Sequence, residues 1–113
     1  MAFLPERNYK EQTLANSYNL TNGITAFTSD SIVEFNKISF QFNTTGLAGD
    51  TSFKLEQSSD NSKWTSLSED TYILGIGSGS LVIQKNDFTG KYVRVNLIDA
   101  GSGTLSIFLV AKR

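Results

Sequence analysis

Hydrophobic and polar residues alternate with period two along much of the chain. The alternation is clearest in NKISFQFNT, where Ile38, Phe40 and Phe42 fall on one side of an extended segment and Ser39, Gln41 and Asn43 on the other. Such a segment is a strand with one face in a core and one in water. The same reading turns Phe53 and Leu55 inward from TSFKLEQS, Val93, Val95 and Leu97 from KYVRVNLI, and Leu105, Ile107 and Leu109 from GTLSIFLVAK. Shorter segments at Leu14 to Leu20, Ser31 to Phe35, Trp64 to Leu67, Tyr72 to Ile76 and Leu81 to Gln84 are β-branched or aromatic and bounded by Gly, Asn, Asp or Ser, so they predict further strands. No segment repeats apolar residues at helical spacing between caps. Short strands separated by frequent turn signals predict an all-β chain, an antiparallel β-sandwich or jelly roll of about eight strands.

The pattern is interrupted at the start. MAFLPERNYKEQ mixes Phe3, Leu4 and Tyr9 with Glu6, Arg7, Lys10 and Glu11, and its Pro5 suits a first helical turn. Residues 1–12 are therefore expected to form an N-terminal arm, and residues 13–113 a single β-sandwich domain. The arm is too polar for a core layer yet more apolar than an idle tail requires. Phe3, Leu4 and Tyr9 are its candidate contacts with a neighbouring subunit or particle.

Composition narrows the function. The chain of 113 residues supports one core, for which eight Phe, four Tyr and one Trp supply large apolar surface. It has no cysteine and no histidine. Thiol nucleophiles, disulfides, imidazole bases and the commonest zinc and copper ligands are thereby removed together, and no catalytic residue, metal site or cofactor is expected. Ten basic and eleven acidic residues, interspersed, give a net charge of -1; with no basic field, no nucleic-acid partner is expected. No segment approaches the roughly 20 apolar residues of a membrane span, and the N-terminus has no apolar run long enough for a signal peptide. No membrane partner is expected.

The remaining motifs read first as structure. GIGSGS, Gly75 to Ser80, has the glycines of a phosphate loop but precedes the strand-like LVIQK where such loops need a helix, so a hairpin or bulge is expected. AGSGT, Ala100 to Thr104, reads as the connection between the last two strands. Asp50, Glu56, Asp60, Glu69, Asp70, Asp87 and Asp99 supply oxygen for a calcium site or a glycosidase pair, yet most sit where Asp stabilises turns, and no calcium-loop spacing is present. The sequons at Asn19 and Asn43 carry no information in a chain this rich in Asn, Ser and Thr. KYVRVNL sets Tyr92, Arg94 and Asn96 on the face opposite its valines, a set able to stack on and hydrogen-bond a carbohydrate, although an exposed sheet face also looks like this. In SSDNSKWTSL, Asp60 and Asn61 suit the centre of a tight turn, so FKLEQS and WTSL become the arms of a hairpin with Trp64 packed over its turn or the sandwich end.

LEQSSDNSKWTSL, followed by GKYVRVNLIDAGSGTLSIFLVAKR, resembles a pattern of discoidin-like sandwiches and, more closely, of small β-sandwich proteins of tailed-phage virions. There a strand runs into Ser-x-Asp-Gly-x-x-Trp, and a later Tyr-Val-Arg-Val strand leads through a glycine turn into the last one. Ser58, Asp60 and Trp64 match, as do Tyr92, Val93, Arg94 and Val95, while Asn61 stands in place of the glycine, a departure both residues allow because both accept positive φ. The resemblance spans roughly residues 50 to 113 and specifies architecture better than activity. It implies a virion structural or decoration protein, assembled in the host cytoplasm and partnered by copies of itself or a major capsid protein. The discoidin-like relatives bind carbohydrate or lipid through loops not recognisable here, so that function does not carry over; the alternative is a carbohydrate-binding module whose exposed aromatics stack on sugar, for host or glycan adhesion.

Overall fold

The computed structural model describes residues 9–32, 35–67, 71–86 and 88–112. They form nine strands: β1 (Tyr9–Asn19), β2 (Ala26–Thr28), β3 (Lys37–Leu47), β4 (Thr51–Ser58), β5 (Thr65–Ser66), β6 (Tyr72–Leu74), β7 (Gly77–Lys85), β8 (Tyr92–Asp99) and β9 (Thr104–Lys112), with one 3₁₀ turn at Leu20–Asn22. Two antiparallel sheets face each other. The first runs β1-β9-β3-β7 and the second β2-β8-β4, with β5 and β6 sharing the far edge of β4. The chain changes sheet at most connections, and only β4, β5 and β6 follow one another within one sheet.

The alternation explains the core. Ile38, Phe40 and Phe42 of β3 and Leu105, Ile107, Leu109 and Ala111 of β9 point inward from the first sheet, and Phe53, Leu55, Val93, Val95 and Leu97 point inward from β4 and β8 of the second. Phe42 meets Phe53 across the sandwich with ring centroids 4.5 Å apart. Phe40 continues the aromatic row on one side at 6.1 Å from Phe42, and Tyr72 on the other at 5.4 Å from Phe53. Each fully buried aromatic contributes on the order of 2 kcal/mol of transfer free energy, so this row is the main apolar weld between the layers.

The glycine-rich connection from β8 to β9 lies against the β3–β4 turn. Gly101 N–H donates to Thr51 Oγ1, and Ala48 N–H donates to the Ser102 carbonyl. A Cβ at Gly103, where φ is +120°, would stand 2.7 Å from the Gly46 carbonyl oxygen. Only glycine lets the two backbones approach this closely.

Several expectations change. β1 begins at Tyr9, so residues 9–12 pair with β9 instead of belonging to an arm; residues 1–8 lie outside the described residues. The charges of Lys10 and Glu11 fit because β1 is an edge strand whose outer face is in water. Of Ser31 to Phe35, the described residues Ser31, Ile32 and Phe35 lie outside any strand. Ile32 N–H donates to the Lys91 carbonyl and its side chain is 1% exposed, so Ile32 belongs to the core, and Phe35 packs against it. Gly77 to Ser80 belong to β7, opposite a bulge of β3 between Thr44 and Leu47 where Gly46 has φ 63°. The bulge expected in GIGSGS lies instead in β3, and GSGS is strand. β2 was not foreseen because Phe27 is its only buried residue.

Candidate functional site

The outer face of the second sheet carries the side chains singled out for carbohydrate. Tyr92, Arg94 and Asn96 alternate outward along β8, as the period-two pattern requires, and face Ser58, Glu56 and Lys54 on β4. Thr28 of β2 flanks Arg94 on its other side. Arg94 Nε donates to Glu56 Oε1 at 2.7 Å, and the Arg94 Cζ stands 4.3 Å from the centroid of the Trp64 ring. Their side chains are 24% and 16% exposed, for Arg94 and Glu56 respectively, so the pair is partly shielded from solvent screening. Arg94 is thus held between a carboxylate and an aromatic face. Its charge is answered within the chain, and one face of Trp64 is covered by it.

Trp64 stands where it does because of the loop before it. β4 and β5 pair through Glu56 with Ser66 and Gln57 with Thr65, leaving residues 58–64 as the connection. This is a hairpin, but a wide loop replaces the expected tight turn. Ser58, 4% exposed, accepts at Oγ from the N–H groups of Asp60 and Asn61 and donates to Asp60 Oδ1. The same Asp60 oxygen accepts from the N–H groups of Ser62 and Lys63. Asn61 adopts φ 59°, the left-handed conformation that Asn tolerates. The N–H donors of Lys63 and Ser62, with the Ser58 hydroxyl, hold the Asp60 carboxyl below its ordinary pKa. Asp60 therefore acts as the staple of a loop.

Beside this loop lies an open cleft of about 360 Å³, lined by Gln57, Ser58, Asp60, Lys63, Thr65 and Thr89 among others. Gln57 Oε1 is buried there without a hydrogen-bond partner among the described residues. The cleft is polar and neighbours the carbohydrate candidates without being lined by them. Among the described residues no three His, Cys, Asp or Glu side chains gather as a metal site, and no helix is long and apolar enough to cross a membrane. Phe3 and Leu4, together with Glu69, Asp70 and Asp87, lie outside the described residues; Tyr9 is the first residue of β1, opposite Lys112.

The sequence reading missed the exposed aliphatic residues. Ile24, Ile73, Ile76, Val82 and Ile98 are 50% to 72% exposed. Ile73 and Ile76 flank the passage from β6 to β7, and Val82 stands on the outer face of β7, the far edge strand of the first sheet. The available signal was GSGSLVIQ, a stretch free of charge and of proline, as unprotected edges are.

No family model matches the chain, and no curated protein does. Among solved structures the fold is similar to the SPBc2 prophage-derived protein YomS, with a TM-score of 0.55 at 9% identity over 98% of this chain and 100% of that one. It is similar also to a chain from Bacillus endospore appendages, which form disulfide-linked pili, with a TM-score of 0.53 at 9% identity over 99% and 97% of the two chains. A carbohydrate-binding module, CBM4, superposes with a TM-score of 0.49 at 15% identity over 93% of this chain and 71% of that one, too distant to bear on function. At these identities the likenesses establish a small β-sandwich and nothing finer.

Proposed function

We propose that the chain is a non-enzymatic structural protein of a virion, a phage capsid-associated or decoration protein working through contacts with copies of itself or with a major capsid protein. The observation that carries this reading is the set of exposed aliphatic side chains, Ile24, Ile73, Ile76, Val82 and Ile98. Large aliphatic groups left half or more in water are what a surface built to be covered presents. The alternation of strands between sheets, which supports reading the sandwich as a jelly roll, and the likeness to a prophage-derived protein point the same way. The pilus likeness adds an assembling relative of the fold, although a chain without cysteine cannot form its disulfide links. The carbohydrate reading is weaker because Arg94, its central hydrogen-bonding group, is already engaged by Glu56 and Trp64.

The test is sedimentation of particles from the native source, followed by re-binding of purified full-length protein and of a variant lacking residues 1–8, which leaves β1 intact. Co-sedimentation of the full chain, lost or weakened in the truncated one, is the expected result and assigns a role to Phe3 and Leu4. Absence from particles, together with glycan binding that Tyr92→Ala abolishes, would replace this reading by adhesion.

A further inference from the structure

The exposed aliphatic side chains gather at one end of the sandwich. Ala26 stands opposite Asn96, and Leu97 N–H donates to the Thr25 carbonyl, which brings Ile24 beside Ile98 on the outer face of the second sheet. Asp99, next to Ile98, pairs with Ser52, and Ser52 pairs with Ile73, so the row runs on across β4 to β6 at about 5 Å per strand. Ile24, Ile98 and Ile73 are 52%, 50% and 62% exposed, and Ile76, just before β7, is 72% exposed at the same end. The chain around them, residues 20–26, 45–53, 73–80 and 97–105, carries Asp50 and Asp99 and no lysine or arginine. Its connections are tied together: the N–H groups of Leu20, Ala48 and Gly101 donate to the Gly103 carbonyl, the Ser102 carbonyl and Thr51 Oγ1. This end is apolar, acidic and preorganised.

The opposite end carries lysines. Lys37 and Lys112 face each other directly across β3 and β9, both exposed on the outer face of the first sheet, and like charges so placed cost stability. Glu11, Asp30 and Asp60 also stand at this end, yet among the described residues the one ion pair is Arg94 with Glu56, so neither lysine is answered, and neither are Asp50 and Asp99. A groove of about 270 Å³ opens at the lysine pair, lined by Lys37, Ile38, Ser39, Gln84, Val110 and Lys112 among others.

We propose that these two surfaces join copies of the chain head to tail: the isoleucine row on one copy's second sheet lies on the lysine end of the next copy's first sheet, with Asp50 and Asp99 set against Lys37 and Lys112. Charge names the occupant. Two isoleucine ends meeting about a two-fold axis bring acids to an end with no cation to answer them, and two lysine ends bring the unanswered lysines together. The head-to-tail contact instead places unlike charges at the rim of an apolar patch. Such a contact is heterologous, so it leaves a free surface on each copy and growth continues past the dimer. The inference rests on the assembly reading and names its surfaces.

The experiment is analytical ultracentrifugation of the full chain across the micromolar range, with Ile98→Lys at one end, Lys37→Glu at the other, and an equimolar mixture of the two. The native chain is expected to grow past the dimer as concentration rises. Each variant alone is blocked at one end, and its dissociation constant should rise by roughly tenfold or more. In the mixture one intact surface of each variant remains, so growth should resume and stop at the dimer. Unchanged melting profiles show that folding is not at issue, and Ile73→Lys, in the same row, takes the place of Ile98→Lys if that variant melts early. A native chain monomeric throughout overturns the proposal, as does association that Lys37→Glu leaves intact, or a mixture that stays monomeric. If the mixture forms its dimer but particles never bind the protein, the contact stands and the virion reading falls. If particles bind a chain that is monomeric at every concentration, and bind both variants equally well, the virion reading stands and the head-to-tail contact falls.

Discussion

Arg94 of β8 lies over the ring of Trp64, which ends the loop after β4: the Arg94 Cζ stands 4.3 Å from the Trp64 ring centroid while Arg94 Nε donates to Glu56. The only tryptophan of the chain is thus a lid on an ion pair, outside the buried core. Its indole gives the loop between β4 and β5 a hold on β8, two strands from β5 in the sheet.

Truncating that lid removes one cation–π contact and part of an aromatic surface that is only half buried. Trp64→Ala is expected to cost about 1 to 2 kcal/mol, less than a core aromatic. Thermal unfolding measures it, and a loss as large as that of a core phenylalanine would mean that the ring supports more than Arg94.

Phe42 supplies the comparison. It is 0% exposed and sits between Phe40 and Phe53. Phe42→Ala should cost about 3 to 5 kcal/mol through lost burial and the cavity left behind, read as the shift in denaturant midpoint at unchanged slope.

The contrast between these residues follows what period-two alternation can reveal. β3, β4, β8 and β9 each bury at least two alternating apolar side chains, so their faces are written in the residues themselves. β2 buries Phe27 alone and the first half of β7 is Gly and Ser; these become strands through pairing with β8 and β3, which no local pattern records. Tyr9 to Gln12 looked like an arm because an edge strand tolerates charge on its wet face. In the same way Tyr92, Arg94 and Asn96 were legible as one outward face, but Arg94 and Trp64 are brought together only by the β4–β8 register and the loop after Ser58.

At Asn61 the backbone has φ 59°. Glycine adopts this conformation without a Cβ penalty, whereas a β-branched residue is strained there. Asn61→Gly should be neutral or slightly stabilising and Asn61→Val destabilising by about 1 to 2 kcal/mol. Equal melting temperatures for the two variants would show that the loop can rearrange around residue 61.

Gly103 combines positive φ with a backbone wall, the Gly46 carbonyl oxygen 2.7 Å from where a Cβ would stand. Gly103→Ala is expected to cost about 2 to 3 kcal/mol, since neither the torsion nor the neighbouring backbone can give cheaply. Gly79→Ala, with open space at the same test, should stay within about 0.5 kcal/mol. Chemical denaturation of both variants separates the effect of this close approach from a general loss of glycine.

Asp60 makes stability depend on acid in a defined direction. Its folded-state pKa is lowered below the ordinary value of 3.8, first by the Lys63 N–H, then by the Ser62 N–H and the Ser58 hydroxyl. A carboxyl with a depressed folded pKa binds its proton more readily in the unfolded chain, so its contribution is complete above the unfolded value and is lost as pH falls through the folded one. Asp60→Asn keeps the shape but removes the charge, and should melt below the native chain at neutral pH. The gap between the two melting temperatures is expected to be constant above about pH 5 and to close as pH falls below the ordinary carboxylate range. Melting curves of the two proteins taken in parallel from pH 7 to pH 2 decide it: a gap that stays constant down to pH 2 would mean that the loss in Asp60→Asn does not come from the carboxylate charge.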